Sequence, residues 1–346
     1  MLFTMIEIDG TYGESGGQIL RTAVALSAIT QKACRITNIR KGRPKPGLQA
    51  QHLEAINATA RLCNADIRGN KLGSTEITFE PQQIQSGDLD VYIPTAGSIS
   101  LVLQPLMIAA MHAGSTVEIN ISGGATNGRW APPANYVINV LLPLLEKMGY
   151  NGSIEIKKYG YYPRGGAHVV AAIDPANLKP LWLTERGDLL GIDGISHAAT
   201  DLQKAKVAER QARAAEELIK RELDIAPLIT ISYVRTQNPG SALELFAKTE
   251  NSVLGGDSLG EIKKRAEDVG KEAAEEIVKA VLKNSAVDRH AEDQLLPYLA
   301  LADGKSAMGV PELTSHTRTN IWTIEKFLDV KFEIDEKEKI IYCKTI

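Results

Sequence analysis

Ile6-Glu7-Ile8-Asp9-Gly10-Thr11-Tyr12-Gly13-Glu14-Ser15-Gly16-Gly17-Gln18-Ile19-Leu20-Arg21 joins a short apolar strand to an amphipathic helix through a loop with four glycines. The helix carries Ile19, Leu20, Val24, Ala25 and Leu26 on its apolar side. Glycines at a strand-to-helix turn let a ligand approach the backbone, and the helix start behind them favours anionic groups. Glu14 stands inside this anion-friendly loop, where a carboxylate makes best sense as a ligand for a metal or a ribose hydroxyl. A tight turn with a solvated glutamate is the plain alternative. The spacing fits neither the Walker A nor the dinucleotide pattern.

The same alternation of strand and helix recurs outward from this stretch. After the first helix come a strand at 33–39, a Pro/Gly loop, a helix at 48–63 and paired strands within 66–79. A second unit starts with a strand at Val91, turns at Ala96-Gly97-Ser98, and continues with a helix through Leu101, Leu103, Leu106 and Ala109. It then has a strand at 116–121, a Gly/Pro loop ending in Pro132-Pro133, a helix at 136–148 and strands at Ile154 and Val169. A third echo has a helix at 293–301, a loop at 311–316, a helix at 320–328 and strands at 330–334 and 339–342. This order predicts an α+β fold built from three βαβαββ units. Material that breaks the pattern, with a charged helix at 200–222, strands at 228–234 and 242–248 and a long helix at 259–282, reads as a smaller α/β domain set into the third unit. The expected division is 1–184 with 280–346 for the three-unit body and 185–279 for the insert.

Composition narrows the function classes. A chain of 346 residues can build a large core, and its net charge of −3 argues against a wholesale polyanion binder. Cys34, Cys63 and Cys343 show no paired metal spacing, and their scarcity suits a reducing, cytoplasmic setting. No apolar run is long enough to span a bilayer and no signal peptide is evident, so no membrane partner is expected.

Of the six histidines, His316 stands out. Leu313-Thr314-Ser315-His316-Thr317-Arg318-Thr319-Asn320 reads as a polar loop feeding an apolar helix, with hydroxyl and amide groups at hand to fix an imidazole tautomer. His112, His168 and His197 read as structural. Arg40, Lys41, Arg43 and Lys45 share a loop stiffened by prolines, which suits phosphate capture and equally suits a solvated basic loop. The segment 123–133 is a long turn-rich connection whose Trp130 and prolines offer flat apolar surfaces for a base. Asp293-Gln294 opens a helix and reads first as an N-cap.

Taken together, Gly10 to Arg21, the run Arg40, Gly42, Arg43, Pro46, Gly47, Leu48, Gln51, His52, the pair Asp293-Gln294, and His316 with Asn320 resemble the RNA 3′-terminal phosphate cyclase family. The likeness is collinear over essentially the whole chain. The segment 159–167 resembles the family's glycine signature, departing at Tyr159 and Ala167. The resemblance implies units like the C-terminal domain of bacterial initiation factor three, and ATP-dependent closure of RNA 3′-phosphate ends to 2′,3′-cyclic phosphates with release of AMP and pyrophosphate. It implies His316 as the adenylylated nucleophile and Glu14 at a magnesium or other divalent cation and the ribose. Gln104, Pro132, Tyr136, His290, Asp293 and Gln294 would surround the adenosine. Arg21, Arg40, Arg43 and Gln51 would hold phosphates. Tyrosine is usual where His290 stands, and an imidazole can also stack on adenine. Two other readings are a non-catalytic cyclase-like protein of ribosome assembly, which would lack the histidine, and an enolpyruvyl-type transferase, which would need none. Whether the chain forms a homodimer stays open.

Overall fold

The computed structural model describes residues 5–14 and 16–346; Ser15, inside the glycine loop, lies outside the described residues. The fold is α+β. In the first unit, β1 (Ile6–Asp9), α1 (Gly17–Thr30), β2 (Cys34–Thr37), α2 (Ala50–Leu62), β3 (Asp66–Arg68) and β4 (Ile77–Glu80) give a sheet of order β1-β2-β4-β3. The second has β5 (Gly87–Ser98), α3 (Ile99–Ala110), β6 (Val117–Ala125), α4 (Ala134–Tyr136), a π turn Val137–Leu141, α5 (Leu142–Glu146), β7 (Gly152–Lys158) and β8 (Ala167–Ile173). Its sheet order is β5-β6-β8-β7. In both sheets the first two strands run parallel and the others antiparallel, as short helical crossovers followed by a hairpin require.

The third sheet repeats this order once the intervening chain is passed. It opens on β9 (Trp182–Leu183), only two residues long and unread in the sequence. Then β10 (Leu189–Ala199), a 3-10 turn Thr200–Ala205, α6 (Val207–Leu223), β11 (Leu228–Val234), β12 (Ser241–Thr249), β13 (Val253–Leu259) and α7 (Ala266–Leu282) build a fourth sheet, β11-β10-β12-β13, with the two long helices. The chain returns through α8 (Ala291–Gln294), α9 (Leu296–Leu301), β14 (Lys305–Gly309), α10 (Ser315–Phe327), β15 (Val330–Asp335) and β16 (Ile340–Thr345), and the sheet runs β15-β16-β14-β9.

Two readings shift. The helix expected over 259–282 begins at Ala266, because Leu259 still pairs with Ala242 at the end of β13 and residues 260–265 form an irregular turn. The helix expected from Asn320 begins at Ser315, where the Thr314 hydroxyl caps it by accepting from the Thr317 N–H.

One large apolar cluster joins the three units, and a second lies between α6, α7 and the fourth sheet. Strand β12 serves both, being buried on both faces. Leu243, Leu245 and Ala247 belong to the second cluster, whereas Phe246 belongs to the first. Glu244 shares Phe246's face, where it accepts from Asn127 Nδ2 at 2.5 Å and meets His197 Nε2 at 3.0 Å. No helix among the described residues is long and apolar enough to cross a membrane.

Candidate active site

The glycine loop lies along one face of α10. Tyr12 stacks on Trp322 with ring centroids 4.1 Å apart, Gly13 sits against Thr319, and the Glu14 carboxylate accepts from the Ser315 hydroxyl. Residues 315, 319 and 322 follow the i, i+4, i+7 spacing of a single helical stripe. Gly13 has φ +57°, and an added Cβ would fall 1.9 Å from Thr319 Oγ1. Only glycine fits that approach.

This lacing sets the geometry of His316, which lies in the first turn of α10 rather than in the loop before it. Its Nε2 is 2.6 Å from Glu14 Oε2, and Arg43 Nη2 stands 3.6 Å from the same oxygen. Nδ1 is 2.9 Å from Gln18 Oε1. Gln18 in turn donates through Nε2 to Asp293 Oδ2 at 2.7 Å, so its amide is oriented with the oxygen toward the imidazole. That orientation makes Nδ1 the protonated nitrogen. Burial holds the His316 pKa below its usual value, with Arg21 and Arg43 acting the same way against the pull of Glu14.

Behind this pair lies a half-buried polar layer. Arg21 Nε donates to Gln104 Oε1 at 2.6 Å, and burial lowers the guanidinium to about 10. Burial raises the Asp293 carboxyl to about 7, with His290 and Arg21 opposing. Asn320 accepts from the Thr22 hydroxyl at 2.7 Å and donates to the Asp293 carbonyl at 2.7 Å, tying α1, α8 and α10 together. Gly17 opens α1 with no room for a side chain: a Cβ there would lie 2.4 Å from His52 Nε2 and 2.9 Å from Arg21 Nη1. His52 is driven down to about 3 by burial and by Arg21 and Arg40, so it is neutral.

The remaining sequence candidates fall into two groups around this centre. His290 stands at the N-cap of α8 and Gln294 at its last residue, Gln294 Nε2 donating to the His290 carbonyl at 3.0 Å. The Tyr136 ring meets the His290 ring edge-on at 5.6 Å, and its hydroxyl donates to Asp288 Oδ1 at 2.7 Å. Burial alone would lower the His290 pKa, but hydrogen bonding to Glu276 and the charges of Asp288 and Asp257 raise it on balance. Gln51 Oε1 accepts from the Ser98 N–H at 3.2 Å, and the Ser98 hydroxyl is 2.8 Å from that of Ser100, which donates to the Pro132 carbonyl. Arg40 differs from its neighbours. Its guanidinium donates to the carbonyls of Lys45 at 2.6 Å and Gly47 at 3.0 Å, so it braces its own loop.

Sequence reasoning assigned no role to Gln18, Ser315 or Asp288, although Gln18 lies in the glycine stretch itself. It also read Asp293 as a helix N-cap. The capping carboxylate is that of Asp288, whose Oδ1 accepts from His290 N at 2.8 Å and Ala291 N at 2.9 Å. That leaves the Asp293 side chain free to face Gln18.

The chain that brings the glycine loop, α8 and α10 together is similar to known proteins over nearly its whole length. A family model described as RNA 3′-terminal phosphate cyclase matches residues 12–334. The chain belongs to the RNA 3′-terminal phosphate cyclase family. It is similar to the RNA 3′-terminal phosphate cyclase of Methanopyrus kandleri, 47% identical over 342 residues that cover 97% of this chain and 96% of the relative. It resembles the cyclase of the same name from Methanosarcina barkeri at 48% identity, covering 96% and 98% of the two chains. It also resembles that of Pyrococcus furiosus at 46%, covering 95% of each.

The cyclase family implies ATP as co-substrate. A divalent cation is a separate matter. No group of three or more His, Cys, Asp or Glu side chains among the described residues could hold a metal ion. Magnesium is commonly bound through one or two carboxylates plus the phosphates of its nucleotide, and Glu14 fits that donor set.

Proposed function

We propose that this cyclase-family chain converts RNA 3′-phosphate ends to 2′,3′-cyclic phosphates using ATP, through AMP carried on His316. The observation that carries this reading is the imidazole held between Gln18 at Nδ1 and Glu14 at Nε2. An imidazole with Nδ1 protonated and a lowered pKa presents the Nε2 lone pair of a neutral nucleophile. When a proton bridges Nε2 and Glu14, 2.6 Å apart, its passage to the carboxylate leaves that lone pair free.

Three displacements then balance. Nε2 attacks the α-phosphorus of ATP, the bond to the bridging oxygen breaks, and pyrophosphate leaves. An oxygen of the RNA 3′-phosphate takes AMP from the nitrogen, breaking the N–P bond. The adjacent 2′-hydroxyl attacks the 3′-phosphorus, loses its proton and expels AMP. A terminal phosphate alone offers no good leaving group, so the AMP transfer is what makes ring closure fast. Arg21 and Arg43 stand where charge develops on the phosphates, each contributing a few kcal/mol at the transition state. Arg40 and Gln51 shape the wall beside them. Gln104, Pro132, Tyr136, His290, Asp293 and Gln294 form the adenosine side, with His290 as the stacking surface. A cation arriving on the nucleotide would be held by Glu14 and would neutralise phosphate charge. Residues 185–279 are a separable domain set into the third unit.

The test is incubation with ATP labelled at the α-phosphate. Wild-type protein should retain label in an acid-labile, base-stable bond, as a phosphoramidate does, and His316→Ala should retain none while keeping its circular dichroism spectrum. Full labelling of the alanine variant would remove His316 from the mechanism.

A further inference from the structure

The three repeated sheets present topologically equivalent outer faces, and their charges differ. On the first, the cross-strand row Glu7, Arg35, Thr78, Arg68 is mixed, with Arg35 and Arg68 paired to Glu76 at 2.8 Å and Glu80 at 3.8 Å. On the second, Asp88 lies opposite Glu118, with Asp90 and Glu155 on the same face. On the third, Lys305 lies opposite Lys344 and Lys344 opposite Lys331, giving three lysines in one row. Like charges directly opposite one another across strands destabilise a sheet. Protection of an exposed edge does not account for the arrangement, because Lys344 sits on β16, an inner strand. Lys331 is 3.5 Å from Glu325, while Lys305 and Lys344 have no acidic partner within 4 Å among the described residues.

The adjacent row of the same face runs Trp182, Ala307, Tyr342, Glu333, aromatic over three strands with one carboxylate on the edge strand β15. Trp182 and Tyr342 flank Ala307 in register, and their rings close over it with centroids 6.2 Å apart. Ala307 is fully covered, yet Trp182 remains 62% exposed. The Lys305 ammonium lies 5.8 Å from the Trp182 ring and 5.2 Å from that of Tyr342. An exposed aromatic surface beside a row of cations, two of them without an acidic partner, is the combination that holds single-stranded nucleic acid, with bases on the rings and phosphates on the lysines. The face belongs to the unit that carries His316, since β14 leads through the following turn into α10.

We propose that the outer face of the third sheet, through Lys305, Lys331, Lys344, Trp182 and Tyr342, is a docking surface for the single-stranded RNA upstream of the reacting end. This rests on the cyclase reading for the identity of the strand, but binding can be measured without turnover. The probe is a fluorescent single-stranded RNA of about 20 nucleotides ending in a 3′-hydroxyl, which offers no phosphate to activate. The triple variant Lys305→Ala, Lys331→Ala, Lys344→Ala should bind it about tenfold more weakly at low salt. Its log affinity should depend on log salt with a slope smaller by about 2, the value for three lost phosphate contacts. Trp182→Ala should weaken binding without changing that slope. With 3′-phosphate substrates, the triple variant should show a raised KM for the long RNA, an unchanged KM for an oligonucleotide of about three residues, and unchanged labelling by ATP. Unaltered binding of the long probe, or equal losses on long and short RNA, would overturn the proposal. So would a change confined to self-association in sedimentation, which would make the face a contact for the acidic second sheet of another copy. Lysine-dependent binding by a protein that fails to cyclise RNA would defeat the catalytic reading and leave the docking surface standing.

Discussion

Replacing Asp293 with asparagine should flatten the dependence of stability on pH. In the native protein burial raises this carboxyl to about 7, well above the ordinary aspartate value of 3.8. A raised carboxyl pKa means that between those values the folded state holds a proton the unfolded chain has released, so stability falls as pH rises through the window. Between pH 5 and pH 8 a fully enclosed group with these two values loses about 3 kcal/mol, and the small surface Asp293 keeps brings this to about 2 kcal/mol. The asparagine side chain carries no charge and still offers an oxygen to Gln18 Nε2. Denaturant unfolding of both proteins at pH 5 and pH 8 reads the effect as a double difference. Asp257, also raised to about 7 by burial and by Glu276, is present in both and cancels. The variant should match wild type near pH 5 and exceed it by about 2 kcal/mol at pH 8. Equal pH slopes for the two proteins would show that the enclosed carboxylate is not being held against its solvation.

Other expectations concern the site and the domain plan. Gly17→Ala should cost about 1–3 kcal/mol of stability, because its methyl would press on His52 and Arg21, and should slow labelling by ATP; unchanged melting and labelling would count against the close approach. Replacing 185–279 with a short Gly/Ser linker should leave a core with native-like circular dichroism but weaker ATP labelling. Phe246 would leave the main cluster, and Gly255 would no longer pack on Tyr136 or donate to Asp288. Unfolding with every linker length would show the segment to be part of the central core. An RNA bearing a 3′-phosphate on a 2′-deoxy terminal nucleotide should accumulate as an adenylylated, more slowly migrating strand, since it lacks the hydroxyl whose proximity makes closure unimolecular. Conversion of normal RNA without ATP would contradict that order.

Much of the fold was legible because its information is local. Strand and helix alternate with clear periodicity in each unit, so the three-fold pattern could be read before any contact was known. The two-residue strand β9 was not legible, since it carries no period and is defined only by pairing with β14. The start of α10 was misplaced for a related reason: Thr314 is the polar cap and Ser315 and His316 turn to Glu14, and polarity in sequence looks like loop. Within the site, Glu14 and His316 could be nominated from their settings. Gln18 could not, because its role depends on Asp293, 275 positions away. The basic loop gave a mixed outcome, with Arg43 directed at Glu14 and Arg40 turned back on its own carbonyls.

The lacing of the glycine loop to α10 has a consequence for biosynthesis. The contact between Thr22 and Asn320 spans 298 positions, and that between Glu14 and Ser315 spans 301. At the usual 5–20 residues per second, the first half of this centre waits roughly 15 to 60 s on the ribosome before its partner helix has even been made. The first two units can pack meanwhile, since their sheets and helices are encoded contiguously. The imidazole, its carboxylate neighbour and the aromatic stack come together only after α10 has been made. For that interval a growing chain carries the glycine loop without its partner helix, and the arrangement around His316 forms only once α10 joins the units made before it.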